Sequence, residues 1–362
     1  MENYSMYLPA YTIGEQAYEK APAICAEYGT SAVVIGGRRA LAAAEDRLRA
    51  AFAGSSITLS DAVWYGGEAS YENVDMLLAS AQQADMIFAV GGGKALDTCK
   101  CLGERTGLPV FAFPTIASTC AATTAVSIMY RPDGVVIGPH FYDRPPTHTF
   151  ICTPIIAAAP KKYMWAGMGD TYAKYFESTV SSRGEDLVHY HALGVLTSRM
   201  SLDPILQYGA KAMADNEKQV SSYELEQVVL SIIVTTGIAS ILLTKEHIID
   251  YNTGLAHAIY YALTAYPHIE ERHLHGEVVA YGILILLLVD GDRETFDRMY
   301  AFNRSVGLPV KLADLELTWE QLDDLIPRVL SMKDIDHNPY VITADMLRTA
   351  FQESEAVAAR DL

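Results

Sequence analysis

A glycine turn between a β-type run and a helical one most constrains what this chain can fold into. Residues 86–90 have the apolar composition of a buried strand, and Gly91, Gly92 and Gly93 separate them from a segment of helical period. A strand that passes through glycines into a helix leaves N–H groups unpaired at the positive end of the helix dipole. Such a turn binds phosphate groups, although α/β proteins without a nucleotide also contain one. The turn predicts an α/β fold and leaves nucleotide binding open.

Short strands and helices alternate through residues 1–160. Strands are predicted at residues 31–35, 86–90, 110–113, 135–138 and 149–152, with a weaker one at 56–59, and helices at residues 38–52 and 71–82. This alternation predicts a doubly wound, mostly parallel sheet that binds ligands at the carboxyl ends of its strands. The pattern becomes almost entirely helical afterwards. We therefore predict an α/β domain in residues 1–160 and an α-helical domain in residues 161–362.

Composition and charge argue against several classes of partner. The 362 residues carry a formal net charge of −17 and contain no run of Lys or Arg, so a nucleic-acid partner is not expected. Five cysteines without CxxC spacing are typical of reduced thiols in the cytoplasm. The apolar segments 228–244 and 278–289 are interpreted as buried core helices, because the first contains several polar residues and the second is too short for a bilayer. The sequence predicts a cytoplasmic protein without a membrane partner.

Three residues of the second half have side chains suited to a divalent metal ion. Asp170 follows two glycines that are predicted to bend the chain just before a helix over residues 171–178. His257 lies in an otherwise apolar helix, and His275 lies at the start of another. One carboxylate and two imidazoles would leave a coordination position open for a substrate.

Each of these residues also has a purely structural interpretation. A single histidine on an apolar helix is often a hydrogen-bonded core residue, and an aspartate before a helix is often its N-cap. Sequence spacing does not show that the three converge, and His273 and His268 are further candidate ligands. On the residues alone, the metal site stays open.

Six sequence blocks, spread over nearly the whole chain, share a recognisable order and spacing. They are Tyr-Gly-Gly-Glu-Ala-Ser at residues 65–70, Gly-Gly-Gly-Lys-Ala-Leu-Asp-Thr at 91–98, Pro-Thr-Ile-Ala-Ser-Thr at 114–119, Gly-Met-Gly-Asp at 167–170, Ala-His-Ala-Ile at 256–259 and His-Gly-Glu at 275–277. Together they resemble the iron-containing alcohol dehydrogenase superfamily, and within it the glycerol dehydrogenase branch. The resemblance implies a doubly wound dinucleotide-binding domain followed by an all-α domain that binds metal and substrate.

The resemblance also implies which residues form the site. The metal ligands would be Asp170, His257 and His275, holding Zn²⁺ or Fe²⁺ with Zn²⁺ favoured. A nicotinamide dinucleotide would be lined by Gly92, Gly93, Lys94, Asp97, Thr115, Ile116, Ala117, Ser118, Thr124, Val126 and Tyr130. In the family the metal holds the substrate oxygen while a hydride passes to or from the nicotinamide. The family forms dimers and larger rings, so a homo-oligomer is expected.

One departure from the family pattern concerns the substrate. Glycerol dehydrogenases have Asp directly after the Ser-Thr of the third block, where this chain has Cys120. Cys120 in this context is similar to the hydroxycarboxylate dehydrogenases of the same branch, which reduce short 2-oxo acids. A neutral thiol would not repel an anionic substrate, whereas a carboxylate would. The alternative is that Cys120 only fills space. The substrate carboxylate would also need a cationic or N–H anchor, and Lys161, Lys162 and Arg272 lie near the motifs.

A second departure concerns the cofactor. NAD-using relatives place an acidic residue after the first strand, where it bonds the ribose hydroxyls. Here that strand is followed by Gly36, Gly37, Arg38 and Arg39, with two bases and no acid. Arginines would attract a 2′-phosphate, so the pattern favours NADP(H) over NAD(H). The alternative is two solvated surface arginines.

A third departure is Tyr260, where relatives often have a second histidine one turn after the metal-binding one. If that histidine relays protons, Tyr260 or a water must do so here, and the sequence leaves this open. We therefore predict a metal-dependent oxidoreductase that interconverts a small 2-oxo acid and its 2-hydroxy acid, with NADP(H) favoured. The alternatives are an NAD-dependent glycerol or related polyol dehydrogenase and a dehydroquinate synthase-like lyase, whose first metal ligand is Glu where this chain has Asp170.

Overall fold

The computed structural model describes residues 3–360. The strands within this range are β1 (Tyr11–Gly14), β2 (Ser31–Gly36), β3 (Thr58–Leu59), β4 (Val63–Trp64), β5 (Met86–Gly91), β6 (Val110–Pro114), β7 (Val126–Tyr130), β8 (Val136–Phe141) and β9 (His148–Cys152). The α-helices are α1 (Ala21–Cys25), α2 (Arg38–Phe52), α3 (Tyr71–Ala81), α4 (Gly93–Thr106), α5 (Thr153–Ala157), α6 (Lys161–Ser181), α7 (His189–Ser198), α8 (Asp203–Glu217), α9 (Tyr223–Leu230), α10 (Thr236–Leu243), α11 (Leu255–Leu263), α12 (Pro267–Arg272), α13 (His275–Val289), α14 (Arg293–Val306), α15 (Leu322–Val329) and α16 (Ala344–Arg360).

Seven strands form one parallel sheet, in the order β1-β9-β6-β5-β2-β3, with β4 also paired to β2. After β2 the chain runs to β3 and β4 on one side and then returns to β5 on the other side of β2. The strand order therefore reverses between β2 and β5, and their ends lie side by side with Gly36 opposite Val90. Ligands of a doubly wound sheet bind in the crevice at such a reversal. The predicted parallel sheet is confirmed, and both glycine turns lie at this point.

Alternation of side chains across the sheet separates two hydrophobic layers. Phe88 and Phe113 point to the face covered by α2, where they pack with Phe52. Ile87 and Ala89 point to the other face of the sheet. They belong to a larger cluster that continues through the helical half to Tyr281. One core thus joins both halves of the chain, and the boundary at residue 160 stays a prediction.

Three short strands were not predicted, and a predicted one lies outside the main sheet. The unpredicted strands are β1, β4 and β7. Residues 135–138 fall largely in β8, which pairs with β7 as an antiparallel hairpin separate from the parallel sheet. Val135 and Ile137 are exposed, so the hairpin keeps one wet face, which an antiparallel pair tolerates and a central parallel strand does not.

The prediction for the segment around Asp170 is wrong. The sequence predicts a bend followed by a helix over residues 171–178, whereas one continuous helix, α6, carries Asp170 in its middle and so not as an N-cap. The glycine before Asp170 serves packing instead of bending. A Cβ on Gly169 would lie 2.2 Å from the carbonyl oxygen of Gly276, and one on Gly276 would lie 2.0 Å from that of Ala166. The missing side chains let α6 and α13 cross in backbone contact.

The two apolar segments form buried helices, as predicted. Residues 223–243 run through α9, a short π-helical turn and α10. Of their most apolar stretch of 18 residues, 72% is buried inside the structure. By length and composition alone this helix could cross a membrane. The shorter α13 is buried from Gly276 to Leu287.

Candidate active site

Asp170, His257 and His275 lie together although they come from three different helices, α6, α11 and α13. One donor atom of each residue lies within 4.8 Å of those of the other two. Nε2 of His275 is 3.2 Å from Oδ1 of Asp170, and Nε2 of His257 is 3.6 Å from the same oxygen. Ligands on a tetrahedral ion with bonds of about 2.0–2.1 Å would be about 3.3 Å apart. The spacing and the donor types fit a divalent metal ion.

A second carboxylate, Glu177, orients His257. It lies two turns after Asp170 on α6, and its side chain is completely buried. Its Oε2 is 2.6 Å from Nδ1 of His257, while Oε1 accepts the backbone N–H groups of Gly254 and His257 at 2.9 and 3.0 Å. Because Nδ1 of His257 donates its proton to Glu177, the neutral imidazole would direct the lone pair of Nε2 at the cluster, as in metal-binding histidines. Sequence reasoning missed Glu177, although its spacing of seven from Asp170 places both on one helix face.

The charges of this cluster stabilise one another. Burial alone would raise the pKa of Asp170, but the charge of His275 and hydrogen bonds from both imidazoles hold it far below its ordinary value. Burial alone would lower the pKa of His257, but Glu177 and Asp170 raise it to about 10. His257 therefore holds a proton at neutral pH in the absence of a metal ion, and a divalent ion that binds Nε2 would displace that proton and take over its positive charge.

The other candidate histidines lie outside this cluster. Nδ1 of His273 is 2.8 Å from Oε1 of Glu277 on the next turn. The ring of His268 packs against those of His273 and Tyr266. Within residues 3–360, the geometry therefore selects His275 among the three histidines of this stretch.

The cluster opens into a cleft of about 1270 Å³ that runs along the sheet reversal. Its volume exceeds the roughly 300–1,000 Å³ of a typical small-molecule site and suits a dinucleotide together with a small substrate. The cleft wall includes most of the predicted cofactor residues, namely Gly37, Arg38, Arg39, Gly92, Gly93, Lys94, Asp97, Thr115, Ile116, Ser118, Thr124, Val126 and Tyr130.

Two predicted cofactor residues are not on the cleft wall. Gly36 lies inside the sheet, where a Cβ would meet the carbonyl oxygen of Val90 at 2.4 Å. Ala117 is buried, and its carbonyl oxygen lies 2.3 Å from where a Cβ of Gly167 would stand. Both are packing positions. The contact at Ala117 also presses the loop that carries Cys120 against α6.

The glycine turn that begins α4 has the backbone geometry expected of a phosphate-binding turn. Gly91 has a φ of +154°, and Gly92 is the N-cap without a side chain to satisfy the first turn of the helix. A Cβ on Gly92 would lie 2.6 Å from Cδ1 of Ile116, so a larger residue there would displace the end of that side chain. The free N–H groups of this turn can bind a pyrophosphate. The carboxylate of Asp97 in the same helix is 2.9 Å from Nζ of Lys100 and accepts the backbone N–H of Ile128 at 3.1 Å, which links α4 to β7.

The end of the cleft at β2 is basic. Arg38 and Arg39 begin α2, and the guanidinium of Arg38 lies 4.7 Å from the ring centre of Trp64. Arg47 lies on the same wall and was missed, although its spacing from Ala40 and Ala43 marks one helix face. The described residues of the β2–β4 segment that line the cleft include three arginines and no acid.

The opposite end contains Cys120 close to the candidate metal ligands Asp170, His257 and His275, which we call the metal-ligand cluster. Burial and the charge of Asp170 raise the pKa of its thiol to about 12, so it is neutral at physiological pH. Lys174, Asn252 and Tyr260 line the same end.

Known proteins are similar to this chain in both sequence and architecture. Residues 9–144 match the sequence profile of the family described as iron-containing alcohol dehydrogenase. Hydroxycarboxylate dehydrogenase A of Escherichia coli (strain K12) is 33% identical over 91% of this chain and 90% of its own length. The chain belongs to the iron-containing alcohol dehydrogenase family. A member of this family is a dehydrogenase that depends on a nicotinamide dinucleotide and a metal ion.

Glycerol dehydrogenases are also similar to this chain. The enzyme of Thermotoga maritima is 32% identical over 82% of this chain and 78% of its own length. The crystal structure of glycerol dehydrogenase from Schizosaccharomyces pombe superposes with a TM-score of 0.87, covering 99% of this chain and 92% of that one at 24% identity. The structural likeness confirms the predicted fold, and the names of these relatives do not choose between a polyol and an oxo acid.

Tyr260 lies beside the cluster of Asp170, His257 and His275. Its ring centre lies 4.3 Å from that of His275 in an edge-on contact. Its hydroxyl donates to Oε1 of Glu270 at 2.8 Å, and Glu270 is exposed. Tyr260 thus connects the cluster to a surface carboxylate.

Proposed function

We propose that this dehydrogenase interconverts a small 2-oxo acid and its 2-hydroxy acid, with NADP(H) favoured over NAD(H). The observation that carries the proposal is the neutral Cys120 thiol on the cleft wall shared with Asp170, His257 and His275. A carboxylate at that position would repel an anionic substrate across a short distance of low polarity, whereas a thiol admits it.

Each part of the cleft has a separate task in this proposal. Asp170, His257 and His275 would hold Zn²⁺, favoured here, or Fe²⁺, and such an ion, when bound, polarises a substrate carbonyl. Glu177 keeps His257 in the tautomer that can bind a metal ion. Gly92 and Gly93 leave N–H groups for the pyrophosphate, which fixes the reactive end of the coenzyme next to the substrate.

The coenzyme preference rests on charge. Arg38, Arg39 and Arg47 face the end of the cleft that lies beyond the pyrophosphate turn. Guanidinium groups can bind the negatively charged 2′-phosphate of NADP(H) bidentately. The described part of this wall contains no acidic residue that would repel the phosphate.

An NAD-dependent glycerol or related polyol dehydrogenase is the alternative function. It is supported by the sequence similarity to named glycerol dehydrogenases. A polyol would bind the same metal ion through its hydroxyl groups and would need no partner for a carboxylate.

Steady-state kinetics separate the two functions. We expect kcat/KM for 2-oxobutyrate with NADPH to exceed kcat/KM for glycerol with NAD⁺ or NADP⁺, and NADPH to be used better than NADH. Turnover of glycerol with inert 2-oxo acids would refute the proposed substrate class. Equal use of NADH and NADPH would refute only the coenzyme preference.

We also propose that the enzyme acts in the cytoplasm as a homo-oligomer on a small-molecule substrate, without a nucleic-acid or membrane partner. The five cysteines are free thiols in the structure, in line with a reducing compartment. Leu193, Leu196 and Met200 are exposed along α7 and the turn after it, where contact with a second copy would bury them. Light scattering on the purified protein measures the mass of the assembly, and a monomer would refute the oligomer.

A further inference from the structure

We propose that Lys174 binds the substrate carboxylate and thereby makes this site selective for 2-oxo acids over neutral carbonyl compounds. The inference deepens the proposed function and rests on it, because it names the group that recognises the charge of that substrate class.

The position of Lys174 places it beside the metal-ligand cluster. It follows Asp170 by four residues on α6, so the two side chains leave the same helix face with Cβ atoms about 5–6 Å apart. Lys174 lines the cleft together with Cys120 and His257. A substrate whose oxo group meets the cluster would therefore extend its adjacent carboxylate within reach of a side chain one helical turn away.

The ammonium of Lys174 is buried and only partly satisfied. The residue is 6% exposed, and lysine is almost never buried unless its charge is paired. Its Nζ donates to the backbone oxygen of Asn252 and to the side-chain Oδ1 of the same residue, the latter at 2.8 Å. Both acceptors are neutral, and no ion pair joins Lys174 to a carboxylate in the described part of the chain. Asn252 thus fixes the ammonium while its charge and one of its three donors remain available.

The nearby carboxylates are already committed to other groups. Asp170 faces the two imidazoles, and Glu177 binds His257 together with two backbone N–H groups. These two charges balance a divalent ion, so Lys174 remains as an uncompensated positive charge next to the neutral Cys120. Burial lowers the pKa of Lys174, and nearby acidic groups oppose this effect. A monoanionic substrate would neutralise the pocket and favour the charged lysine.

The three basic residues near the sequence motifs do not supply the anchor. Lys161 and Arg272 form surface ion pairs with Glu217 and Glu316, respectively. Lys162 lies over the ring of Tyr163 and is not on the cleft wall. Of these cations and Lys174, the structure brings only Lys174 to the cleft end that contains the cluster and Cys120.

The experiment compares an acid with its neutral ester in the metal-loaded enzyme. Initial rates with NADPH are measured for 2-oxobutyrate and for methyl 2-oxobutyrate, in wild type and in Lys174→Met, which keeps the length of the side chain. We expect wild type to prefer the acid, and Lys174→Met to raise KM for the acid roughly 10- to 100-fold, the size of one lost charged hydrogen bond, with a small change for the ester. Lys161→Met, which removes the same charge from the surface of the same helix, should leave both values unchanged.

The failures of the two proposals differ. A wild type that oxidises glycerol and reduces no 2-oxo acid overturns the proposed function and the anchor with it. A wild type that reduces 2-oxo acids but treats acid and ester alike, or a Lys174→Met enzyme that keeps the wild-type ratio of acid to ester, overturns the anchor alone. If Lys174→Met does not fold, Lys174→Gln and the acid-to-ester ratio of the wild type decide the question.

Discussion

Glu177→Gln tests whether the second carboxylate sets the metal affinity of the cluster. A glutamine keeps the volume of the side chain, and its oxygen can still accept the N–H groups of Gly254 and His257. Its amide N–H₂ would then face Nδ1 of His257, which now donates to Glu177 across 2.6 Å. To avoid two opposed donors, the neutral imidazole that a metal ion requires would have to carry its proton on Nε2, the nitrogen that lies 3.6 Å from Asp170 and would bind the metal.

The expected loss can be estimated from this geometry. Removal of such an orienting partner costs about 10- to 100-fold in metal affinity, which corresponds to about 1.4–2.7 kcal/mol. Because the Glu177 side chain is completely buried, water cannot replace the lost acceptor, and we expect a value near the upper limit.

Zinc affinity is measured by competition with a fluorescent chelator, and the melting temperature of the metal-free protein reports folding. Glu104→Gln is the matched control, since Glu104 also lies 2.6 Å from a histidine, His140, but at the surface and outside the cleft wall. We expect wild-type zinc affinity in this control. A folded Glu177→Gln protein with wild-type affinity would refute the role assigned to Glu177.

Three further substitutions test the remaining parts of the site. Asp170→Ala removes the carboxylate that lies next to both imidazoles and should abolish zinc binding and turnover. A fully active variant would contradict the metal site. Cys120→Asp places a negative charge in the substrate pocket and should lower the ratio of kcat/KM for 2-oxobutyrate to that for glycerol by roughly tenfold or more, whereas an unchanged ratio would mean that Cys120 only fills space. The double substitution of Arg38 and Arg39 by Ser should raise KM for NADPH roughly tenfold and leave KM for NADH nearly constant, and an equal rise for both coenzymes would refute recognition of the 2′-phosphate.

The parts of the fold that were predictable from sequence depend on local patterns. Strands β2, β5, β6 and β9 are apolar runs that end in glycine, proline or a helix start, and their alternation with helices is enough to predict a parallel sheet. The edge strand β1 and the two-residue β4 carry too few residues for a periodic signal. Their pairing depends on neighbours distant in sequence, Cys152 for Gly14 and Ile35 for Val63.

For the site, the sequence motifs predicted which residues could bind a metal ion but not how those residues are arranged. The residues alone identified suitable ligands and could not show that they meet, because convergence depends on how three helices cross. The bend predicted before Asp170 failed for the same reason. In the sequence, a glycine required by close contact with another helix cannot be distinguished from a glycine that breaks a helix. The structure distinguishes them, because a Cβ on Gly169 would lie 2.2 Å from the carbonyl oxygen of Gly276. Lys174 was missed because a lysine on a helix is normally exposed.

One face of α6 connects the chemistry of the whole site. Asp170, Lys174 and Glu177 follow one another at spacings of four and three, so each turn of that face contributes one charged group. Their environments assign them different roles: the first meets two imidazoles, the second faces the cleft, and the third is sealed beneath His257. The close contact of α6 with α13 at Gly169 and Gly276 fixes the position of this face relative to His275. The contact of Gly167 with the loop that carries Cys120 fixes its position relative to Cys120. In the proposed site, neighbouring turns of one helix would therefore set metal affinity and selectivity for a charged substrate. We expect a substitution at Lys174 to alter selectivity while Asp170, His257 and His275 stay in place.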